Sequence, residues 1–132
     1  MIMETGIVKF SPELLALFAA GNENGIAPFT KEIFLQDITV AGTGYCDEID
    51  KVFGELKTDC ILRLQRDPKN QYDDLAIGIY WGDIRVGWVP RKQNMVLAHL
   101  MDAGKNCCMR VKDFFTEQDH WKHIEGQIIM IE

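Results

Sequence analysis

Apolar positions recur along this chain with the period of two that marks a strand with one face buried. In residues 33–41, IFLQDITVA, that spacing puts Phe34, Ile38 and Val40 on one face and Ile33 and Leu35 on the other. Residues 60–65, CILRLQ, alternate cleanly, with Cys60, Leu62 and Leu64 inward and Ile61, Arg63 and Gln65 outward. Residues 75–80 and 84–89 flank Trp81-Gly82-Asp83 and predict a hairpin closed by a tight Gly-Asp turn. Two further strands are expected over residues 107–111 and, around Gly126, over 124–131.

The period changes to helical in three places. Ser11-Pro12-Glu13 offers a cap and a first-turn proline, the stripe Leu14, Leu15, Leu17, Phe18 follows, and Gly21 is the exit. Residues 47–53 predict a short helical turn with Ile49, Val52 and Phe53 inward and Gly54 as its stop. Residues 91–103 predict a helix with Val96, Leu97, Leu100 and Met101 as its stripe and Gly104 as its cap. Short strands in series, glycine-rich corners and one late helix point to a mainly β fold: a small, partly open barrel of the OB-like or SH3-like kind. Residues 1–32 read as an N-terminal helical arm and linker, and 33–132 as the barrel domain.

Composition refines this picture. At 132 residues the chain is one domain, large enough to form a core without disulfides or metal. The longest apolar runs fall short of a membrane span. Glu4 stands where a secretory leader would carry bases, so a cytoplasmic chain is expected. Cys46, Cys60, Cys107 and Cys108 lack Cys-x-x-Cys spacing and read as reduced, packed thiols. The net charge of −6 is uneven: residues 1–33 carry −2, 34–112 carry 0 and 113–132 carry −4. Such a surface repels duplex phosphates yet leaves room for a local site that takes one strand end.

Residues 66–91 carry the candidate chemistry. They open with Arg66-Asp67-Pro68-Lys69-Asn70-Gln71-Tyr72-Asp73-Asp74, more elaborate than a connection needs. Tyr45, Tyr72, Tyr80, Trp81 and Trp88 can stack on bases, and Lys69, Arg91 and Lys92 can meet phosphates, where a helix starting at Arg91 would also favour an anion. Asp73 beside a phosphate would be repulsive, but at a strand's hydroxyl end it can accept a hydrogen bond. The plainer alternative makes Asp67, Asn70 and Asp73 turn formers and Tyr72, Trp81 and Trp88 packing residues. His120-x-x-His123 would share a face on a helix, but two imidazoles without a third ligand read as solvated surface, so no metal and no cofactor is expected. No phosphate-binding Gly-rich loop and no Gly-x-Ser-x-Gly is present, and the chain is not expected to be an enzyme.

Three blocks occur in order: Ala41-Gly42-Thr43-Gly44-Tyr45; then Leu62-Arg63-Leu64-Gln65-Arg66-Asp67-Pro68-Lys69-Asn70-Gln71-Tyr72-Asp73-Asp74-Leu75-Ala76-Ile77; then Val86-Gly87-Trp88-Val89-Pro90-Arg91. Together they resemble the HIRAN domain over about residues 33–112. The resemblance implies a compact OB-like barrel that binds nucleic acid, with the 3′ end of single-stranded DNA as partner and a setting in DNA repair. It puts Tyr45 against a terminal base, Tyr72 and Asp73 around the terminal nucleotide, Asp73 on its 3′ hydroxyl, and Arg91 near the phosphates. Asn70, Lys69, Lys92 and Trp88 are the further candidates. Gly44 and Trp88 depart from the pattern, since eukaryotic members carry an arginine and a histidine there. The alternative function is a protein-interaction or homo-oligomerisation scaffold without nucleic-acid binding, joined through the N-terminal helix. A nuclease would need a metal held by Asp67, Asp73 and Asp74.

Overall fold

The structure is a computed structural model and describes residues 31–132. The helix expected over residues 11–21 lies outside them. The chain runs β1 (Glu32–Thr39), a 3-10 turn (Thr43–Tyr45), α1 (Ile49–Phe53), β2 (Ile61–Arg66), β3 (Ile77–Trp81), β4 (Ile84–Trp88), a second 3-10 turn (Arg91–Gln93), α2 (Met95–Asp102), β5 (Asn106–Thr116) and β6 (Lys122–Ile131). All strand pairs are antiparallel, in the order β1-β6-β5-β2-β3-β4.

The two edges of this sheet meet at one point. Past the end of β1, Ala41 exchanges both backbone hydrogen bonds with Trp88 at the end of β4, each 2.8 Å. One residue earlier, the Val40 amide donates to the Ile124 carbonyl at 2.8 Å. The sheet is thus curled into the partly open, OB-like barrel that the strand pattern predicts. Curling gives the inward residues one shared interior: Ile38, Val40, Leu62, Leu64, Ile77, Ile79, Val86, Met109, Val111, Ile124 and Ile128 are all buried. Cys107 and Cys108 are both fully buried although neighbours on a strand point to opposite faces, so β5 is covered on both sides. All four cysteines are free. Burial pushes the Cys107 and Cys108 thiols up to about 12, which keeps them protonated and inert.

Where the structure departs from the periodic pattern, an extra residue or a long-range contact is the reason. A bulge between Phe34 and Gln36 shifts the β1–β6 register, so Phe34 leaves the face of Ile38 and Val40 and is 55% exposed. A second shift between Val111 and Asp113 hides the continuation of β5, which runs on to Thr116. That extension is held by side chains: Phe114 packs edge-on against Phe53 at 5.7 Å, and Phe115 stacks on His123 at 4.4 Å. β3 begins at Ile77 and not at residue 75, because Asp73 and Leu75 belong to a turn closed by the Ala76 amide on the Asp73 carbonyl. The helix expected from Arg91 starts at Met95, and Val96 faces solvent while Leu97, Ala98 and Met101 face the core. His120 and His123 share no helix: His120 sits at φ 68 in the β5–β6 turn, and His123 lies in β6. Among the described residues no group of His, Cys, Asp or Glu could hold a metal ion, and no helix is long and apolar enough to cross a membrane.

Candidate functional site

The polar turn at residues 67–75 is built around a buried cation. Arg66 ends β2 on its inward face and is 5% exposed, an unusual place for a guanidinium. It is accommodated because its donors are matched: Nη1 donates to the Ala76 carbonyl at 2.7 Å, Nη2 to the Asp74 carbonyl at 2.9 Å, and Nε to Asp102 Oδ1 at 2.9 Å. Arg66 therefore pins both the far end of the turn and the last residue of α2.

Within the turn, Asn70 is the organiser. Its Nδ2 donates to Asp67 Oδ2 at 3.0 Å, while its Oδ1 accepts from the Tyr72 amide at 2.9 Å and the Asp73 amide at 3.2 Å. Such side-chain bonds to nearby amides explain Asn70 and Asp67 as turn residues. They also leave Tyr72 with no place in the core, and its side chain is 78% exposed. The hydrogen-bonded turn thus presents this aromatic ring to solvent and not to the core.

Asp73 is fixed from three directions. Oδ1 accepts from the Leu75 amide at 2.9 Å, Oδ2 accepts from Asn94 Nδ2 at 2.8 Å, and the Arg91 Nε lies 3.9 Å from Oδ2. The turn-forming role of Asp73 is thus real, but each oxygen has capacity for a further donor. Burial alone would raise the Asp73 carboxyl. The Leu75 and Asn94 amides and the charges of Arg91 and Arg66 outweigh it, so its pKa is lowered below the usual value. A depressed folded-state pKa contributes stability above the unfolded-state value of about 3.9, and this is lost as pH falls through the folded-state pKa. The stability gap between the native chain and Asp73→Asn is therefore expected to hold from pH 7 to about 5 and to shrink below about pH 4. Urea unfolding of both at pH 7, 4 and 3 checks this; a gap independent of pH would contradict it.

The second aromatic rises from the first 3-10 turn. Gly42 enters that turn at φ 74, a conformation suited to glycine, and a β-carbon there would lie 2.7 Å from the Trp88 ring. The backbone thus lies against Trp88, with the Tyr45 ring beside it. Buried Thr43 anchors the turn through Oγ1, which donates to the Lys122 carbonyl at 2.7 Å. Tyr45 is 81% exposed. Trp88 and Arg91 are three residues apart, at most about 10 Å of chain, so the Tyr45 turn and the Asp73 turn flank one short exit from β4.

Arg91 is 77% exposed, on a one-turn 3-10 segment and not at the start of a helix. Lys69 and Lys92 are exposed and have no carboxylate partner among the described residues. Two residues that the sequence pattern did not single out complete the arrangement. Asn94 is 2% exposed and holds Asp73 from the break between the 3-10 turn and α2; an Asn in a mostly apolar helical stretch was the only signal. Trp121 covers Gly44, where an added β-carbon would lie 2.5 Å from its ring. The arginine that Gly44 replaces in the resembled pattern has no room here unless Trp121 moves. No local pattern places Trp121 there, because the contact spans 77 positions of sequence.

This constellation sits on a barrel matched by known proteins. The family profile described as the HIRAN domain matches residues 33–126. The chain belongs to the HIRAN domain family. Among solved structures, a protein from Lactobacillus plantarum is similar with 31% identity and a TM-score of 0.70, covering 78% of this chain and 98% of its own. The HIRAN domain of human HLTF shares the fold at 19% identity and a TM-score of 0.61, covering 77% of this chain and 78% of its own. No curated protein matches the sequence. The HIRAN profile ends at Gly126, but β6 continues to Ile131 and pairs there with both β1 and β5.

Proposed function

We propose that this HIRAN domain binds single-stranded DNA at its 3′ end through Tyr45, Tyr72, Asp73 and Arg91. HIRAN domains in HLTF-like proteins are generally nucleic-acid-binding modules. The observation that carries the finer reading is the pair of outward tyrosine rings flanking residues 88–91, with the fixed Asp73 carboxylate next to Tyr72.

Each role follows from chemistry. Tyr45 and Tyr72 stack on bases, at about 1–3 kcal/mol per stacked base, with Trp88 and Trp121 as the floor beside Tyr45. Arg91, Lys92 and Lys69 attract phosphates, and Asn70 holds Tyr72 and Asp73 in place. Asp73 stays ionised at neutral pH and accepts a hydrogen bond from a terminal hydroxyl. A phosphate in that place would meet a carboxylate, so the site prefers a strand that ends in a free 3′ hydroxyl.

A 5′-labelled oligothymidine with a free 3′ hydroxyl is expected to bind at least about tenfold more tightly than its 3′-phosphorylated twin, about 1.4 kcal/mol. Asp73→Asn should reduce that preference more than it reduces affinity for the phosphorylated strand. Fluorescence anisotropy titrations measure both, and equal binding of the two oligonucleotides would sink the end-recognition reading.

A further inference from the structure

A row of cations and aromatics continues from Trp88 across the outer surface of β4, β3 and β2. Arg85 Cζ lies 4.9 Å from the centre of the Trp88 ring and 5.4 Å from that of Tyr80, and Arg63 Cζ lies 4.6 Å from Tyr80. The register puts Arg63 opposite Tyr80 and Tyr80 opposite Arg85. Tyr80 folds back over Gly78, where an added β-carbon would lie 2.9 Å from its ring. The row also reaches the Tyr45 turn, because the Trp88 ring lies against Gly42, where an added β-carbon would be 2.7 Å from it.

The hydrogen bonds leave this row short of anionic partners. Arg63 donates to Gln65 Oε1 at 2.6 Å and to the Gly82 carbonyl at 3.2 Å, both neutral. Arg85 donates twice to the Tyr80 hydroxyl oxygen, at 3.1 and 2.7 Å. Neither arginine pairs with a carboxylate among the described residues. With its oxygen accepting from Arg85, the Tyr80 hydroxyl keeps its own proton to donate. Two guanidinium groups on one ring repel each other, and in a chain of net charge −6 they concentrate positive charge on one strip. A bound anion removes that repulsion and uses the spare donors.

We infer that Arg63, Tyr80 and Arg85 form a phosphate track that holds the single strand upstream of its 3′ terminal nucleotides. This rests on the end-binding reading, since Trp88 joins the track to the Tyr45 and Asp73 turns. The three strands span about 10 Å at 4.7–4.9 Å spacing, enough for two guanidinium groups to meet successive phosphates. Arg85 over Trp88 brings positive charge to the end of the track beside the Tyr45 turn.

The test compares dT3 and dT10, each 5′-labelled with a free 3′ hydroxyl, in anisotropy titrations at 50–200 mM salt on the full chain. Wild type should bind dT10 more tightly than dT3. In R63Q/R85Q that advantage should vanish, and the slope of log affinity against log salt for dT10 should fall by about 1.4, at about 0.7 per lost phosphate contact on a single strand. Binding of dT3, which reaches at most the Trp88 end of the track, should fall far less than binding of dT10. R63K/R85K keeps both charges while losing the planar groups, so its salt slope should stay near wild type. An unchanged slope and length advantage in R63Q/R85Q would overturn the track, as would an equal loss in R63K/R85K, which marks a packing role. A 3′-phosphorylated dT10 that binds like the hydroxyl form, with the arginine dependence intact, removes end recognition and leaves the track standing. Failure of wild type to bind dT10 removes both.

Discussion

Gly87→Ala is expected to destabilise the chain by about 3 kcal/mol, the sum of overpacking and backbone strain of roughly 1–3 kcal/mol each. For a domain of this size that lowers the melting temperature on the order of 15 °C. Gly87 adopts φ 157, and a β-carbon there would lie 2.4 Å from Val40 Cγ1 and 2.5 Å from the Ala41 carbonyl oxygen. The second neighbour is backbone and cannot rotate away. It is also the acceptor of the Trp88 amide in the bridge that joins the sheet edges. The added methyl group therefore pushes directly on the closure of the barrel. Gly78→Ala is the matched control, because its nearest neighbours are atoms of the Tyr80 and Arg85 side chains, which can move. Thermal melts of both variants followed by circular dichroism decide the matter. If Gly87→Ala melts no lower than Gly78→Ala, the edge-to-edge bridge is not what resists the extra carbon. Ligand affinity should fall with Gly87→Ala as well, since Trp88 and the Gly42 turn lie against each other at that closure.

Arg66→Met is expected to cost about 3 kcal/mol, given hydrogen bonds to charged groups of roughly 1.5–3 kcal/mol each, and to abolish binding at the proposed site. The substitution keeps much of the buried stem but leaves the Ala76 and Asp74 carbonyls without their charged donor. Asp102→Asn should be much milder, because the Asp102 side chain is 42% exposed and solvent takes over from the lost charge. Urea unfolding gives the stability change, and limited proteolysis reports on residues 67–75, where cleavage should rise in Arg66→Met at denaturant concentrations that leave the barrel folded. A variant that resists proteolysis like wild type would mean that Asn70 and Asp73 hold the turn without Arg66. The two variants act at different places: one loosens the barrel seam beneath Tyr45, the other frees the turn that carries Tyr72 and Asp73.

Much of this molecule was legible before its coordinates. The alternation in residues 60–65, the Gly82-Asp83 turn and the short helix before Gly54 are local features, and each formed where its pattern put it. Tyr45, Tyr72, Asp73 and Arg91 were legible through the three blocks that resemble the HIRAN pattern. Their partners were not. Asn94 meets Asp73 across 21 positions, Arg66 meets Asp102 across 36, and Arg85 joins Tyr80 to Trp88 only because the hairpin register sets them on one face. Phe34 and Val96 show the limit of periodicity in another way. One inserted residue in β1 moves Phe34 out, and a helix start delayed to Met95 leaves Val96 toward solvent.

The sequence by itself determined a β-rich family member with a polar turn, two tyrosines and one aspartate in candidate roles. Period-two alternation and turn chemistry act over a few residues, so they survive in one dimension. Only the tertiary structure decided that Tyr72 is an exposed ring and not a core residue, that a buried arginine supports its turn, and that β1 and β4 close at Ala41 and Trp88. Those outcomes depend on which strands become neighbours and in what register. A shift of one residue there exchanges the buried face for the exposed one.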